Sequence, residues 1–290
     1  MRILVTGAAG RLGGRLLAAL AAGGHEVAGV DVVAAEGVTA LDITDFGATR
    51  AAVAAAAPQV VVHAAAWTDV DGCAREPDKA VAINGYGAQN AALAAASVGA
   101  ALLYISSNEV FDGRASQPYR EYDRTNPPNP YGYSKWVGER AVAQANPRHY
   151  IVRTAWLFAH GGKNFLQAIL ALAQAGKPLR VVTDEVANPT YNDDLADAVA
   201  ALLLTGRYGI YHFVNAGACS RYTLARYALD RAGHAAVPIE PISIKEWPRP
   251  SRPPLYAGLA NSAGAQVGIA LRPWQAAVDA FLARESLLQA

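Results

Sequence analysis

The sequence predicts an α/β fold: a Rossmann-type doubly wound parallel sheet followed by a smaller C-terminal α/β substrate-binding lobe. Three observations predict it. Short apolar runs alternate with helical periods through position 154. The first run ends in the glycine series Gly7-Ala8-Ala9-Gly10-Arg11-Leu12-Gly13. The second ends in Asp31, roughly twenty residues on, where dinucleotide-binding sheets carry an acidic side chain. The dinucleotide-binding domain is expected over residues 1–155, rejoined by the 192–205 helix, and the substrate-binding lobe over 156–290.

The strand Arg2–Thr6 leads into the glycine turn, and Leu16, Leu17 and Leu20 then recur at helical spacing. Gly7 permits the tight turn, Gly10 lets the backbone approach a pyrophosphate, and Gly13 lets the helix pack close on the strand. Arg11 and Leu12 open that helix, whose N-terminus then faces the phosphates. The spacing Gly-x-x-Gly-x-x-Gly is one residue wider at its first step than the common fingerprint. A strand over 26–30 delivers Asp31, whose carboxylate can accept hydrogen bonds from both adenosine ribose hydroxyls and repels a 2′-phosphate. NAD(H) is therefore favoured over NADP(H), which a neighbouring loop can still accommodate. Asp42-Ile43 follows another short extended run, where the carboxylate can meet the adenine amino group or cap a helix.

The helix Phe46–Ala56 and a strand over 59–63 come next, then Ala64-Ala65-Ala66, small enough for a dinucleotide to lie against the strand end. His63 invites a catalytic reading, but a histidine running into a tight apolar turn reads better as a buried, satisfied side chain. One long helix is expected over 76–98, with Asn84 and Asn90 in it, and a buried strand over 101–106. That strand brings Ser107, Asn108 and Glu109 to the carboxyl edge of the sheet, where ligands of such sheets bind.

Asn129-Pro130-Tyr131-Gly132-Tyr133-Ser134-Lys135 organises the rest. With a helix beginning at Tyr131, Tyr131 and Lys135 share a face one turn apart, about 6 Å along the axis. A fixed ammonium stabilises a phenolate and is expected to pull the phenol below its usual pKa of about 10. Such a phenol suits protonation of a carbonyl oxygen as hydride arrives. Ser107 is then placed to hydrogen-bond the same oxygen.

Beyond 154 the pattern loosens into pieces that read as a cap over the substrate end: a helix to about 175, strands over 179–182 and 210–215, and helices over 193–204, 222–232 and from Trp274. At 290 residues the chain can bury a substantial core. Its 25 basic and 24 acidic side chains, a formal charge of +1, are dispersed, so neither nucleic acid nor an anionic membrane is an expected partner. Cys73 and Cys219 have no metal-ligand or redox spacing, and the chain opens directly into Ile3-Leu4-Val5. A reduced, cytoplasmic protein without metal is expected.

The order Gly7 to Gly13, Asp31, Ala64 to Ala66, Ser106 to Gly113, Tyr131 to Lys135 resembles an extended short-chain dehydrogenase/reductase, most closely the dTDP-4-dehydrorhamnose reductase family. The resemblance covers essentially the whole chain, including Arg153-Thr154-Ala155-Trp156, Asn164-Phe165, Asp184 to Thr190 and Arg252-Pro253. It implies a nicotinamide cofactor along the glycine loop and a nucleotide-linked keto sugar, dTDP-linked in that family, between two lobes. It also implies Tyr131 as acid, Lys135 lowering its pKa and binding the nicotinamide ribose, and Ser107 orienting the oxygen. Trp156, Asn164, Asn188 and Arg252 would lie around the sugar or its diphosphate. A homodimer is left open. Two departures matter: the family's Ser-Thr-Asp-Tyr-Val-Phe-Asp-Gly is here Ser-Ser-Asn-Glu-Val-Phe-Asp-Gly, and Glu185 and Ala187 replace glutamine and glycine. Ser107 keeps the hydroxyl, while Asn108 and Glu109 change the charge beside the keto carbon. Glu109 resembles the acid-base pair of nucleotide-sugar dehydratases, but an amide at Asn108 gives up no proton, which disfavours elimination. Epimerisation, or a non-catalytic nucleotide-binding regulatory role, are the remaining readings.

Overall fold

The structure, a computed structural model, describes residues 1–162 and 164–289; Lys163, within the Gly161 to Phe165 stretch, and Ala290 lie outside the described residues. Its strands in chain order are β1 (Arg2–Thr6), β2 (Glu26–Asp31), β3 (Val38–Ala40), β4 (Val60–His63), β5 (Ala101–Ser107), β6 (His149–Thr154), β7 (Leu157–Phe158), β8 (Leu179–Val182), β9 (Val186–Ala187), β10 (Thr190–Tyr191), β11 (Gly209–His212), β12 (Cys219–Ser220) and β13 (Ile239–Ile242). Seven of them form one sheet in the order β11-β6-β5-β4-β1-β2-β3, every neighbouring pair parallel. Val60, Val61, Val62 and all seven residues of β5 are buried, as continuous apolar runs must be in a sheet covered on both faces.

The helices are α1 (Arg11–Ala22), α2 (Phe46–Ala56), α3 (Val70–Arg75), α4 (Pro77–Ala80), α5 (Gly87–Ser97), α6 (Pro130–Ala145), α7 (Phe165–Gln174), α8 (Asn192–Thr205), α9 (Arg221–Arg231), α10 (Ser262–Gln266) and α11 (Trp274–Arg284). The single helix expected over 76–98 is instead broken by a π-turn, Val81–Tyr86. The extra width there turns Asn84 inward, where its Nδ2 donates to the Ser134 hydroxyl at 2.9 Å and to the Trp67 carbonyl at 3.0 Å. The Trp67 amide returns a bond to Asn84 Oδ1 at 2.8 Å. A local distortion thus fixes both the loop after β4 and the helix carrying Tyr131.

The boundary at 155 is not clean. Leu195, Val199 and Leu202 of α8 join the core beneath the sheet with Leu16 and Leu20 of α1, and Arg15 bridges to Asp193 at 3.0 Å. The seventh strand, β11, also comes from beyond 155 and lies against β6. The second lobe has its own core, in which Leu166, Ile169 and Leu170 of α7 meet Leu224 and Leu229 of α9 and Val278 and Phe281 of α11. Among the described residues no helix is long and apolar enough to cross a membrane.

Candidate functional site

The sheet order reverses between β1 and β4, and a cleft of about 1150 Å³ opens beyond the carboxyl ends of the strands there. Gly7, Gly10, Arg11, Leu12, Gly13, Asp31, Asp42, Ile43 and Ala64 to Ala66 line it together with Ser107, Asn108, Glu109, Tyr131, Lys135 and Trp156. Residues far apart in sequence are thus gathered along one groove.

At the glycine end, Gly7 has φ +71°, and a Cβ on Gly13 would lie 1.9 Å from the Gly7 carbonyl oxygen, so only glycine lets α1 pack this close. Gly10, the N-cap of α1, offers no side-chain hydrogen bond, which leaves the helix's first amides open toward the cleft. Asp31 accepts from the Ala9 amide at 3.1 Å and from the Val33 amide at 3.1 Å, fixing its carboxylate at the rim. Asp42 closes its own turn on Thr44, with bonds of 2.9 and 2.8 Å, and the helix cap is Asp45. Among the described residues the cations lining the cleft are Arg11, Lys79 and Lys135; none belongs to the 31–44 segment. Thr154 and Asn192 line the same space, and among the described residues Thr154 Oγ1 and Asn192 Oδ1 are buried without a partner. An open helix terminus, a rim carboxylate and orphaned polar atoms in one long cleft fit a dinucleotide.

At the reactive end, the Asn129 side chain caps α6 by accepting from the Gly132 amide at 2.8 Å, with Pro130 in the first turn. The helix therefore starts one residue earlier than the sequence suggests, and Tyr131 and Lys135 keep their common face. The Ser107 hydroxyl lies beside the Tyr131 phenol, close enough to lower its pKa. The expectation that Lys135 lowers the pKa of Tyr131 is not met. Burial and the nearby Glu109 carboxylate push the phenol well above its ordinary value, against a smaller downward pull from Ser107. Lys135 is itself buried, which brings its pKa down to about 7, with Glu139 pulling the other way. Its ammonium rests on the face of Tyr104, 4.3 Å from the ring centroid.

Beneath this pair lies a closed ionic network. Glu139, one turn after Lys135, accepts from Arg153 Nε and a terminal guanidinium nitrogen, both at 2.8 Å, and from the Ser106 hydroxyl at 2.6 Å. Because Ser106 precedes Ser107, the network locks the end of β5 to α6. His63 is fully buried; its Nδ1 meets Thr6 Oγ1 at 2.7 Å, and burial with the Lys135 charge takes its pKa down to about 3. It is a neutral core histidine, although its Nε2 has no partner among the described residues.

Glu109 is half-buried, and Asn129 Nδ2 donates to its Oε2 at 2.6 Å. Burial pushes its pKa up to about 7; the Asn129 bond, Arg249 and Arg221 oppose the shift and Glu185 adds to it. Arg221 lies over the Trp156 ring at 3.6 Å and bridges to Glu185 at 3.2 Å, while Arg249 bridges to Asp71 at 3.0 Å. Arg221 and Arg249 have no signal in the sequence, because their approach to Glu109 depends on how the second lobe packs. Three expected substrate residues are not brought to the cleft lining. Asn164 caps α7 through the Gln167 amide at 3.1 Å. Asn188 is buried, its amide donating to the Asn215 and Gly217 carbonyls and accepting from Leu259. Arg252 is exposed and meets the site only through its carbonyl oxygen, 3.1 Å from Asn129 Nδ2.

The model of the RmlD substrate binding domain matches residues 1–287. Spore coat polysaccharide biosynthesis protein SpsK of Bacillus subtilis is 37% identical over 285 residues, 98% of each chain. A dTDP-4-dehydrorhamnose reductase of Streptomyces griseus is 41% identical over 284 residues, 96% of this chain and 91% of its own. The crystal structure of dTDP-4-dehydrorhamnose reductase from Bacillus anthracis in complex with NADP superposes with a TM-score of 0.92 at 33% identity, covering 98% of this chain and 99% of that one. With its glycine cradle, its Ser107, Tyr131 and Lys135 on one groove and these relatives along its whole length, the chain belongs to the RmlD substrate binding domain family.

Proposed function

We propose that the protein reduces the 4-keto group of a nucleotide-linked deoxysugar, dTDP-linked as in its reductase relatives, with NAD(P)H. The observation that carries the reading is that the neighbouring Ser107 and Tyr131 hydroxyls line the same cleft as the glycine turn. When bound, the nicotinamide supplies the hydride. Ser107 holds the carbonyl oxygen, and Tyr131 gives its proton to that oxygen as negative charge develops on it. Lys135, one turn along the same helix as Tyr131, would hold the nicotinamide ribose. Trp156, with Arg221 on its face, lines the same groove.

At the adenosine rim, Asp31 and Asp42 supply negative charge and no cation of that segment offsets it, which favours NADH although a relative binds NADP. Asp31→Ala is expected to weaken NADH about tenfold and NADPH little or not at all; equal weakening of both would remove the carboxylate from ribose recognition. The reading as a whole is tested by incubating the protein with NADH or NADPH and a panel of nucleotide-linked keto sugars and following nicotinamide absorbance. Stoichiometric oxidation with a dTDP-linked 4-keto sugar is expected. A cofactor that stays tightly bound and is never consumed would point to an epimerase instead.

A further inference from the structure

Hydride transfer to a ketone needs an acid and an oxygen-binding hydroxyl, and Tyr131 and Ser107 supply both. Glu109 is left over. It stands two residues after Ser107, its amide donating to Ser107 Oγ at 3.1 Å, and its carboxylate is close enough to the Tyr131 phenol to act on its charge. One carboxylate oxygen, Oε2, is anchored by Asn129, the residue that caps the helix carrying Tyr131. Among the described residues Oε1 has no hydrogen-bond partner, and Glu109 lines the cleft. The two neighbouring guanidinium groups are engaged elsewhere, Arg221 with Glu185 and Arg249 with Asp71. A half-buried carboxyl outside any ion pair is costly to keep in a binding site. Held on one oxygen and free on the other, it has the geometry of a general base rather than of a structural salt bridge.

A carbonyl oxygen bound between Ser107 and Tyr131 sets the adjacent carbon one bond length from the carbonyl carbon, in the cleft that Glu109 also lines. The two hydroxyls that polarise the carbonyl also acidify the C–H bonds next to it. We propose that Glu109 is an acid–base group for this carbon, so that the protein catalyses exchange of the proton alpha to the ketone of its nucleotide-linked keto sugar. The Glu109 carboxylate takes the proton, and the electron pair of the broken C–H bond becomes the carbon–carbon double bond of an enolate. The carbonyl π pair moves onto the oxygen, which Ser107 and Tyr131 stabilise by hydrogen bonds. Return of a proton from the Glu109 acid to carbon restores the ketone, and no electrons leave the sugar. The inference rests on the keto-sugar reading above, and it adds carbon-acid chemistry to hydride transfer at the same site.

The test uses the full chain in D2O with a dTDP-linked 4-keto-6-deoxysugar and no reduced nicotinamide, following deuterium incorporation by mass spectrometry and loss of the alpha-proton NMR signals. Exchange is expected well above a protein-free control, and about 100-fold slower in Glu109→Gln, the usual scale for loss of a general base. Glu109→Asp, which keeps a carboxyl on a shorter arm, is expected to retain part of it. Unchanged dinucleotide binding by the variants certifies their fold. Wild-type exchange no faster than the control overturns the inference, as does equal exchange in Glu109→Gln. NADH or NADPH oxidation with the same sugar, measured separately, reports on the reductase reading, so either can fail without the other.

Discussion

Burial and the charge of Glu109 hold the proton on Tyr131, and a phenol so placed is a reluctant acid toward a neutral ketone. It becomes an effective one when hydride reaches the carbon and the oxygen turns strongly basic, so proton release is tied to the chemical step rather than preceding it. Tyr131→Phe removes that proton while leaving the glycine turn and Asp31 untouched. Turnover is expected to fall by about 100-fold or more with the dinucleotide dissociation constant nearly unchanged, as read by steady-state kinetics beside fluorescence titration. An unaltered kcat would take the acid role from this residue. The pairing of Tyr131 with Lys135 is legible in the sequence because both lie on one helix. The direction of the phenol's pKa is not, since it is set by burial in the folded chain and by Glu109 from the preceding strand end.

The element that matters most is the junction of β5 with α6. A Cβ on Gly132 would sit 2.0 Å from the Glu109 carbonyl oxygen, so the first turn of α6 presses directly on the turn after β5. Gly132→Ala must push the two apart, breaking the Ser107 and Tyr131 contact. Both a lower melting temperature and a loss of activity larger than any loss of cofactor affinity are expected; a variant with wild-type melting and turnover would show that the contact is not needed. Elements with local signals were readable: the helix Phe46–Ala56, the strand Leu179–Val182 and the start of the last helix at Trp274 fall where apolar periodicity puts them. The π-turn Val81–Tyr86 was not, because its cause is tertiary, the inward bonds of Asn84 to the loop after β4 and to Ser134. Asn164, Asn188 and Arg252 show the same limit from the other side. Their place in a motif says nothing about whether a cap or a carbonyl takes up the side chain, as for Asn164 and Asn188, or whether only the backbone meets the site, as for Arg252.

For the molecule as a whole, several buried groups make stability depend on pH. His63 and His212 are both buried with pKa values taken down to about 3 from 6.5, by desolvation and by Lys135 and Arg153 respectively. The unfolded chain therefore binds more protons at these positions between about 3 and 6.5, and their contribution is lost as pH falls through that window. Glu109, raised from 4.5 to about 7, acts oppositely, the folded chain holding the extra proton across its range. Between 4.5 and 6.5 two groups oppose one, so these three sites make stability rise with pH there. Thermal melts are expected to fall on acidification from pH 6.5, and less steeply in His63→Gln; a slope of the opposite sign would mean that the histidines titrate normally. The sheet, its switch point and the order of the gathered residues were legible because they follow from chain order and handedness. That β11 joins the seven-stranded sheet from beyond 155 was not legible, because a parallel partner so far along the chain leaves no local signal.

The central claim is that hydride arrives at a keto carbon whose oxygen Ser107 and Tyr131 hold. It is tested most directly by turning over a dTDP-linked 4-keto sugar with NADH deuterated at nicotinamide C4 on the transferred face and locating the label by NMR. The account requires one deuterium on the former carbonyl carbon, with this transfer suppressed in Tyr131→Phe. Label retained on the cofactor, or a sugar product formed without it, would contradict the account.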